Sequence, residues 1–260
     1  MKLKFIDIHS HLQFPQFDSD REEVIEKMKN SGVGAIVVGT DFESSKKAVE
    51  LANNHENLWA SVGLHPNDNT TEIFNFDAYK KLAENSKVVA IGECGLDYFR
   101  CEKTSEEKRR QAELFELHIK LSVESNLPLM IHVRDAYEDV IKILQQNKKE
   151  YGDKLRGNVH FFAGDLSTAK SFFEMGFSTS FTGVITFTND YDEVIKSAPI
   201  DMIMTETDCP YVAPEPHRGK RCKPVYVEKV AQRIAEVRGE EIDNIKDNFL
   251  ENTERMFGIK

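Results

Sequence analysis

The hydrophobic residues of this sequence form eight short runs that recur along most of its length. Each run is apolar and short, as buried β-strands are, and stretches with helical spacing lie between the runs. Strands that alternate with helices predict βαβ units and a parallel sheet. The runs cover residues 4–12, 32–40, 58–66, 87–97, 127–136, 157–164, 177–185 and 201–210.

Helical periodicity is clearest in residues 20–30, 105–125 and 224–239. In the second stretch Leu114, Leu117 and Leu121 fall at i, i+3 and i+7, which predicts a buried stripe. Its opening letters, SEEK, form a capping arrangement with acids in the first turn. His118 lies beside this stripe and is interpreted as a packed or hydrogen-bonded residue rather than part of a site.

Eight strand–helix units in 260 residues fit a closed α/β barrel of the (β/α)₈ TIM type. The competing architecture is an open, doubly wound sheet, which would carry a glycine-rich phosphate turn after its first strand. The letters HSHLQFPQFD at that place supply no such turn. We therefore expect one barrel domain over residues 1–260.

The composition sets limits on partners and on the compartment. Asp and Glu number 44 against 34 Lys and Arg, a net charge of −10, so a polyanionic substrate must meet a local basic patch or a metal. The four cysteines form no C-x-x-C pair, which favours reduced thiols and a cytoplasmic protein. The sequence shows no secretory signal and no apolar run long enough to span a membrane.

Side chains with metal-binding chemistry lie at the ends of the predicted strands. Side chains two residues apart share a strand face, so Asp7, His9 and His11 are expected to point together into the barrel. A single histidine there is most often only hydrogen-bonded, but charges converging from several buried strands are costly unless a cation lies among them. The other strand-end residues of this kind are His65, Glu93, His132, His160, Glu206 and Asp208.

Seven motifs in this order make the sequence similar to the TatD family of metal-dependent deoxyribonucleases, within the amidohydrolase-like barrels. The resemblance runs from Phe5 to about Phe257. It implies a (β/α)₈ barrel, up to two divalent ions and hydrolysis of nucleic-acid phosphodiesters. The motifs are FIDIHSHL, GLHP, IGECGLDY, IHVRDA, VHFFAG, TETDCPYVAP and RGKRCKP.

The resemblance also implies a ligand set. His9 and His11 would hold the first ion, with Asp208 completing its shell. Glu93 would bridge the two ions, and His132 and His160 would hold the second. Nitrogen and oxygen donors accept several metals, so zinc, magnesium, manganese, nickel and iron all remain candidates.

The chemistry of these residues suggests roles in hydrolysis by a metal-activated water. Glu93 can offer one oxygen to each ion, and Asp208 can also accept the proton of the attacking water. His65 is a candidate to steady the phosphate or to protonate the leaving oxygen. Glu206 is a candidate to orient a ligand or assist proton transfer; the alternative is an ion pair with Arg134.

Basic residues near the predicted site are candidates for substrate binding. Arg134 follows His132 by two residues and could meet a phosphate oxygen; the alternative is an ion pair with a neighbouring acid. Residues 217–223 form a dense basic cluster after the last strand. Such a cluster is often only solvated surface, but its place beside the ligand-bearing strand favours a phosphate contact. Its three candidates are Arg218, Lys220 and Arg221.

The favoured function is that of a deoxyribonuclease, an exonuclease acting on DNA ends or single strands, with RNA and tRNA as further candidate substrates. One alternative is hydrolysis of a carboxylic ester or amide on the same metal centre, as in a D-aminoacyl-tRNA deacylase or a small-molecule amidohydrolase. The other is a non-catalytic, metal-stabilised binding protein. The sequence is compatible with a monomer.

Overall fold

Eight parallel strands form one sheet in the computed structural model, which describes residues 2–259. The strands follow one another around the sheet in chain order, β1 to β8, and each lies within one of the eight predicted runs. The prediction of a (β/α)₈ barrel is confirmed. The strands are β1 (Phe5–Ser10), β2 (Val33–Val38), β3 (Leu58–Val62), β4 (Val88–Asp97), β5 (Leu129–Arg134), β6 (Gly157–Val159), β7 (Phe177–Phe181) and β8 (Ile203–Thr205).

Helices follow the strands and form the outer layer. Among residues 2–259, none of them is both long and apolar enough to cross a bilayer. They are α1 (Arg21–Ser31), α2 (Phe42–Asn54), α3 (Phe76–Ala83), α4 (Ser105–Ser125), α5 (Tyr137–Tyr151), α6 (Leu166–Glu174), α7 (Asp192–Ser197), α8 (Val227–Arg238) and α9 (Ile242–Phe257).

Helix α4 has the predicted bounds but not the predicted stripe. Leu114 and Leu121 are buried, whereas the side chain of Leu117 is 39% exposed. The buried arc turns instead towards His118, which is fully buried as predicted for a packed residue. The N-cap is Thr104 rather than the SEEK segment itself, and its side chain accepts from the Glu107 N–H (3.2 Å).

The sheet closes where β1 meets the segment that follows β8. Ser10 and Cys209 form a parallel bridge there. The Asp208 N–H donates to the His9 carbonyl (2.9 Å), and the His11 N–H donates to the Cys209 carbonyl (2.8 Å). Three of the predicted ligands of the first ion, His9, His11 and Asp208, therefore also form the backbone bonds that join the barrel at its seam.

Two layers of apolar side chains hold the barrel. One layer packs the outward faces of the strands against α1–α9, and its members include Val37, Val62 and Ile131. The other is built from strand residues that alternate with these, such as Ile8, Ile36 and Met130, which places it inside the barrel. The carboxyl end of the interior is left to polar side chains.

Strands β1 and β4 each carry one extra residue just before that polar end. Asp7 pairs with Ala35 and Ser10 with Val37, so β1 is one residue longer than β2 over this interval. In β4, Ile91 pairs with Leu129 and Cys94 with Ile131. Such bulges interrupt strict alternation and turn side chains to the other face.

Candidate metal centre

Six residues predicted as metal ligands meet at the carboxyl end of the barrel. They come from the ends of five strands, β1, β4, β5, β6 and β8. The bulge in β4 lets Glu93 face inward while Cys94 joins the outer apolar layer. Gly92 makes the bulge possible, because its φ of +146° and the Met130 carbonyl, 2.3 Å from an added Cβ, exclude larger residues.

The first group of donors consists of His9, His11, Glu93 and Asp208. Glu93 Oε2 lies 3.4 Å from His9 Nε2 and 3.8 Å from His11 Nε2. Asp208 Oδ1 lies 3.8 Å and 3.4 Å from the same two nitrogens. Ligands that share one ion at about 2.1 Å are themselves roughly 3–3.5 Å apart, so this spacing suits a single cation.

The second group shares Glu93 with the first. Glu93 Oε1 lies 2.9 Å from His132 Nδ1 and 2.9 Å from His160 Nε2. The two histidine nitrogens are 3.2 Å apart. Each carboxylate oxygen of Glu93 therefore faces a different pair of histidines, which is the arrangement that a bridging ligand needs.

Among residues 2–259, several buried polar atoms of the cluster have no hydrogen-bond partner. They are both ring nitrogens of His9, Nδ1 of His160 and Oε2 of Glu206. Buried polar atoms are ordinarily satisfied, since an unpaired one costs on the order of 1–3 kcal/mol. A set of unpaired donors and acceptors around one carboxylate is typical of a cation-binding site.

The cluster perturbs the protonation of its members. Burial would raise the pKa of Glu93, but the surrounding imidazoles, His160 foremost, hold it well below its usual range. Burial, together with the charge of His160, lowers the pKa of His9 to about 3. Glu93 is thus ionised and His9 neutral, which are the forms in which these side chains bind a metal.

Glu206 lies beneath the histidines rather than beside Arg134. Its Oε1 accepts the Phe161 N–H (2.5 Å), while its Oε2 lies 3.9 Å from His9 Nδ1 and 3.8 Å from His160 Nδ1. Burial and the charge of Asp208 raise its pKa well above the usual range. The imidazole nitrogens and carboxylate oxygens of the cluster, their spacing and the lone pairs that no hydrogen bond uses fit divalent cations.

Asp7 does not join the cluster, so the expectation that it points with His9 and His11 is wrong. Its carboxylate accepts from the Thr207 N–H (2.8 Å) and the Thr207 hydroxyl (2.5 Å). The bulge after Asp7 separates its face from that of the histidines. Burial raises the pKa of Asp7 to about 7, and its role is to tie β1 to the end of β8.

Asp97 is a site residue that the sequence analysis missed. Its Oδ2 lies 3.2 Å from His132 Nε2, and it is fully buried. Burial would raise its pKa, but the hydrogen bond to His132 brings it down to about 2. Its position four residues after Glu93 in IGECGLDY, at the end of a strand, was the available signal.

His65 lies at the edge of the second group. Its Nε2 is 3.6 Å from Glu93 Oε1, and its ring centre is 4.4 Å from that of His132. Its Nδ1 lies 3.1 Å from Asp68 Oδ1, and both residues line a cleft that opens above the cluster. The neighbouring imidazole lowers the pKa of Asp68 against the effect of burial. His65 is therefore placed within reach of a group bound in the cleft.

A cleft of about 420 Å³ opens above the cluster. Arg134 lines it, with its guanidinium carbon 3.8 Å from the centre of the Phe99 ring. Aromatic and basic side chains form much of the remaining wall. The lining residues of these two kinds are Phe14, Arg100, Phe161, Tyr191 and Tyr211.

The basic residues of the 217–223 loop are not among the cleft's lining residues. Arg221 binds Asp20 through both terminal nitrogens (2.9 and 2.5 Å) and lies over the ring of Phe17. Its charge is already paired within the protein, and its role in substrate binding stays a prediction. The guanidinium of Arg218 lies 4.2 Å from the Phe187 ring centre, and Lys220 is exposed.

Comparisons with known proteins cover almost the whole chain. The family described as TatD related DNase matches residues 6–258. An uncharacterized metal-dependent hydrolase, YabD of Bacillus subtilis, is 41% identical over 97% of this chain and 98% of its own length. A protein of Escherichia fergusonii named 3'-5' ssDNA/RNA exonuclease TatD is 32% identical over 97% of this chain and 98% of its own.

The fold is shared with solved structures as well. YJJV, a TatD homologue from Escherichia coli K12, superposes with a TM-score of 0.90 at 28% identity and covers 100% of both chains. A TatD family hydrolase from Entamoeba histolytica superposes with a TM-score of 0.84 at 24% identity. Together with the family match over residues 6–258, these similarities show that the chain belongs to the family of TatD-related DNases, which are metal-dependent hydrolases.

Proposed function

We propose that this protein hydrolyses phosphodiester bonds of DNA and acts as an exonuclease on single strands or strand ends. The observation that carries the proposal is the position of Glu93, whose two oxygens face separate pairs of histidines at the floor of an open cleft. Two ions in such an arrangement can stabilise both the attacking and the leaving oxygen of a phosphoryl displacement. One relative's name, 3'-5' ssDNA/RNA exonuclease, favours a single-stranded nucleic acid.

Two residues beside the candidate ion sites have separate roles in proton transfer, one towards the attacking water and one towards the leaving oxygen. Bound divalent ions would make water more acidic and neutralise charge on the phosphate. Asp208 Oδ1, at the edge of the first group, is placed to accept a proton from the attacking water. His65, which lines the cleft beside the second group, is placed to donate a proton from Nε2 to the leaving oxygen.

The cleft walls supply contacts that a nucleic-acid strand can use. Arg134 offers a guanidinium to a phosphate, and its stacking on Phe99 holds the guanidinium plane in place. The side chains of Phe99 and Tyr211 are 58% and 47% exposed, and exposed rings are platforms for unpaired bases. All four cysteines are free thiols, which suits action in the cytoplasm.

The test is an assay of purified protein loaded with manganese, magnesium, zinc or nickel in turn. Labelled single-stranded DNA, double-stranded DNA and RNA are offered under each condition, and products are resolved at single-nucleotide length. We expect a ladder of progressively shortened DNA strands, abolished by chelator. Absence of cleavage with every ion would contradict the proposal.

A charged tRNA in the same assay distinguishes the rival chemistry. Release of the amino acid with no shortening of any strand would identify a carboxylic ester hydrolase on the same centre. Binding of metal with no turnover of either substrate would instead favour a metal-stabilised binding protein.

A further inference from the structure

The histidines of the cluster differ in what their second ring nitrogen contacts. His11 directs Nδ1 to the Val38 carbonyl (2.8 Å), so its Nε2 is left for an ion. His9 and His160 both direct Nδ1 towards Glu206 Oε2, at 3.9 and 3.8 Å. His132 is oriented the other way round: Nδ1 faces Glu93, and Nε2 faces Asp97.

Asp97 is fixed independently of His132. Its Oδ1 accepts the N–H groups of Phe99 (2.9 Å) and Arg100 (3.0 Å). Its own backbone N–H donates to Gln111 Oε1 (2.8 Å), and its carbonyl accepts from Gln111 Nε2 (3.1 Å). The remaining oxygen, Oδ2, is therefore held at 3.2 Å from His132 Nε2 by bonds that do not involve the histidine.

We propose that Asp97 is a positioning residue that keeps the proton of His132 on Nε2 and so leaves the Nδ1 lone pair free for the second ion. The inference rests on the metal-dependent function proposed above. A carboxylate can accept only from a protonated Nε2, and a neutral imidazole has one N–H. Partners behind a ligating histidine fix its tautomer and ring orientation in this way. Asp97 acts on the second group alone, whereas Glu206 faces one ring of each group.

Asp97→Asn reverses the expected tautomer with almost no change in shape. The backbone N–H groups of Phe99 and Arg100 require the amide oxygen at the Oδ1 position, so the amide nitrogen must face His132. An NH₂ group donates, and Nε2 must then accept, which moves the imidazole proton to Nδ1. His132 loses the lone pair that faces Glu93.

The experiment counts ions and locates the proton. Wild type and Asp97→Asn are dialysed against buffered zinc, and bound zinc is measured at each free concentration. We expect wild type to hold two ions, and Asp97→Asn to hold one normally and the other about 10- to 100-fold more weakly. Nitrogen-15 NMR, assigned with a His132→Gln variant, should show the His132 proton on Nε2 in wild type loaded with two zinc ions. In Asp97→Asn loaded with zinc at its tighter site alone, the proton should be on Nδ1.

Two further variants sharpen the result. Asp139→Asn changes a nearby acid that accepts from the Tyr98 hydroxyl (2.9 Å), and it should bind zinc as wild type does. Glu206→Gln should weaken both ions together, because Glu206 faces His9 and His160. Equal weakening of both ions by Asp97→Asn, or unchanged affinity for both, would overturn the proposal.

The wild-type NMR spectrum decides the matter even if Asp97→Asn fails to fold. A proton on His132 Nδ1 in zinc-loaded wild type overturns the inference while leaving a metal-dependent activity possible. Two zinc ions with the proton on Nε2, but no cleavage of nucleic acid, would support the inference and remove the proposed substrate. Failure to bind zinc at all would overturn both the inference about Asp97 and the proposed metal-dependent function.

Discussion

His9 and His118 are both completely buried, yet they differ in what their ring nitrogens contact. His118 lies between α4 and the barrel, where its Nδ1 donates to the Leu114 carbonyl (2.8 Å) and its Nε2 accepts the Leu64 N–H (3.0 Å). His9 lies at the mouth of the barrel, and neither of its nitrogens has a hydrogen-bond partner within the part of the chain that the structure describes. A buried histidine therefore indicates a site only when its hydrogen-bonding capacity is unspent.

Burial keeps both histidines neutral, but the neutral ring has different contacts in the two places. In both residues burial lowers the pKa, to about 4 for His118 and about 3 for His9. In the neutral form of His118 both ring nitrogens are already hydrogen-bonded, since one donates and the other accepts. For His9 the neutral form leaves a lone pair facing Glu93 and Asp208, which is useful only to a cation.

The largest effect is expected from Glu93→Gln, which removes the carboxylate shared by both groups of donors at the barrel mouth and leaves the surroundings of His118 intact. Loss of the shared negative charge should lower kcat on single-stranded DNA by at least about 10³-fold, because the ions contribute several kcal/mol at the transition state. The assay is single-turnover cleavage, with bound metal measured in parallel. Glu43→Gln, an exposed acid at the start of α2, is the matched control and should remain fully active. Retention of more than a tenth of the activity would refute the role given to Glu93.

The second largest effect is expected from removal of the metal. A ligand that binds only the folded state stabilises it by about 4 kcal/mol at a thousand times its Kd, so chelation should lower Tm by several degrees. Thermal unfolding with and without a chelator measures the shift. His118→Gln should show the same shift as wild type, because both ring nitrogens of His118 are hydrogen-bonded within the protein and are not free to bind an ion. A chelator shift of zero in wild type would mean that the mouth binds no ion.

The third effect is a dependence of stability on pH that originates at His118. Above pH 6.5 the ring is neutral in both the folded and the unfolded chain. As the pH falls from 6.5 towards 4, only the unfolded chain takes up the proton, so stability is lost through this window, by about 3 kcal/mol when complete.

Denaturant unfolding of metal-free protein at a series of pH values measures this loss. Other groups titrate in the same range, so the quantity of interest is the difference between wild type and His118→Gln. The glutamine oxygen can still accept the Leu64 N–H, but the side chain does not titrate. Parallel pH curves for the two proteins would show that His118 is not held neutral.

The smallest effect is the cost of His118→Gln itself at pH 8. The variant loses one hydrogen bond, to the Leu114 carbonyl, which is worth about 1 kcal/mol. The kcat of the proposed exonuclease activity and the zinc content should remain those of wild type. A loss of zinc in this variant would show that the two regions are coupled, contrary to the comparison.

Much of this arrangement follows from local patterns in the sequence. The eight apolar runs predict the eight strands because each run carries its own length and burial signal. His9, His132 and His160 were found because parallel strands bring their carboxyl ends to one mouth. The predicted grouping of Glu93 and Asp208 with them is what the structure shows.

Other features depend on partners that a local pattern does not contain. The bulges that separate Asp7 from His9, and that turn Glu93 inward, are defined by the register of the neighbouring strand. The local pattern that makes Arg221 a candidate for substrate binding does not contain its partner Asp20, which lies 201 residues earlier in the chain. Leu117 followed the periodicity of its helix, but the position of the barrel beneath α4 decided which face is buried.

The seam between β1 and the segment after β8 has a consequence for how the protein is made. His9 and His11 are synthesised almost 200 residues before Asp208 and Cys209, which bond to them across the seam. A nascent chain that stops before Asp208 has neither a joined barrel nor a complete first group of ligands. The proposed hydrolytic activity is thereby withheld until the segment that follows β8 has been synthesised.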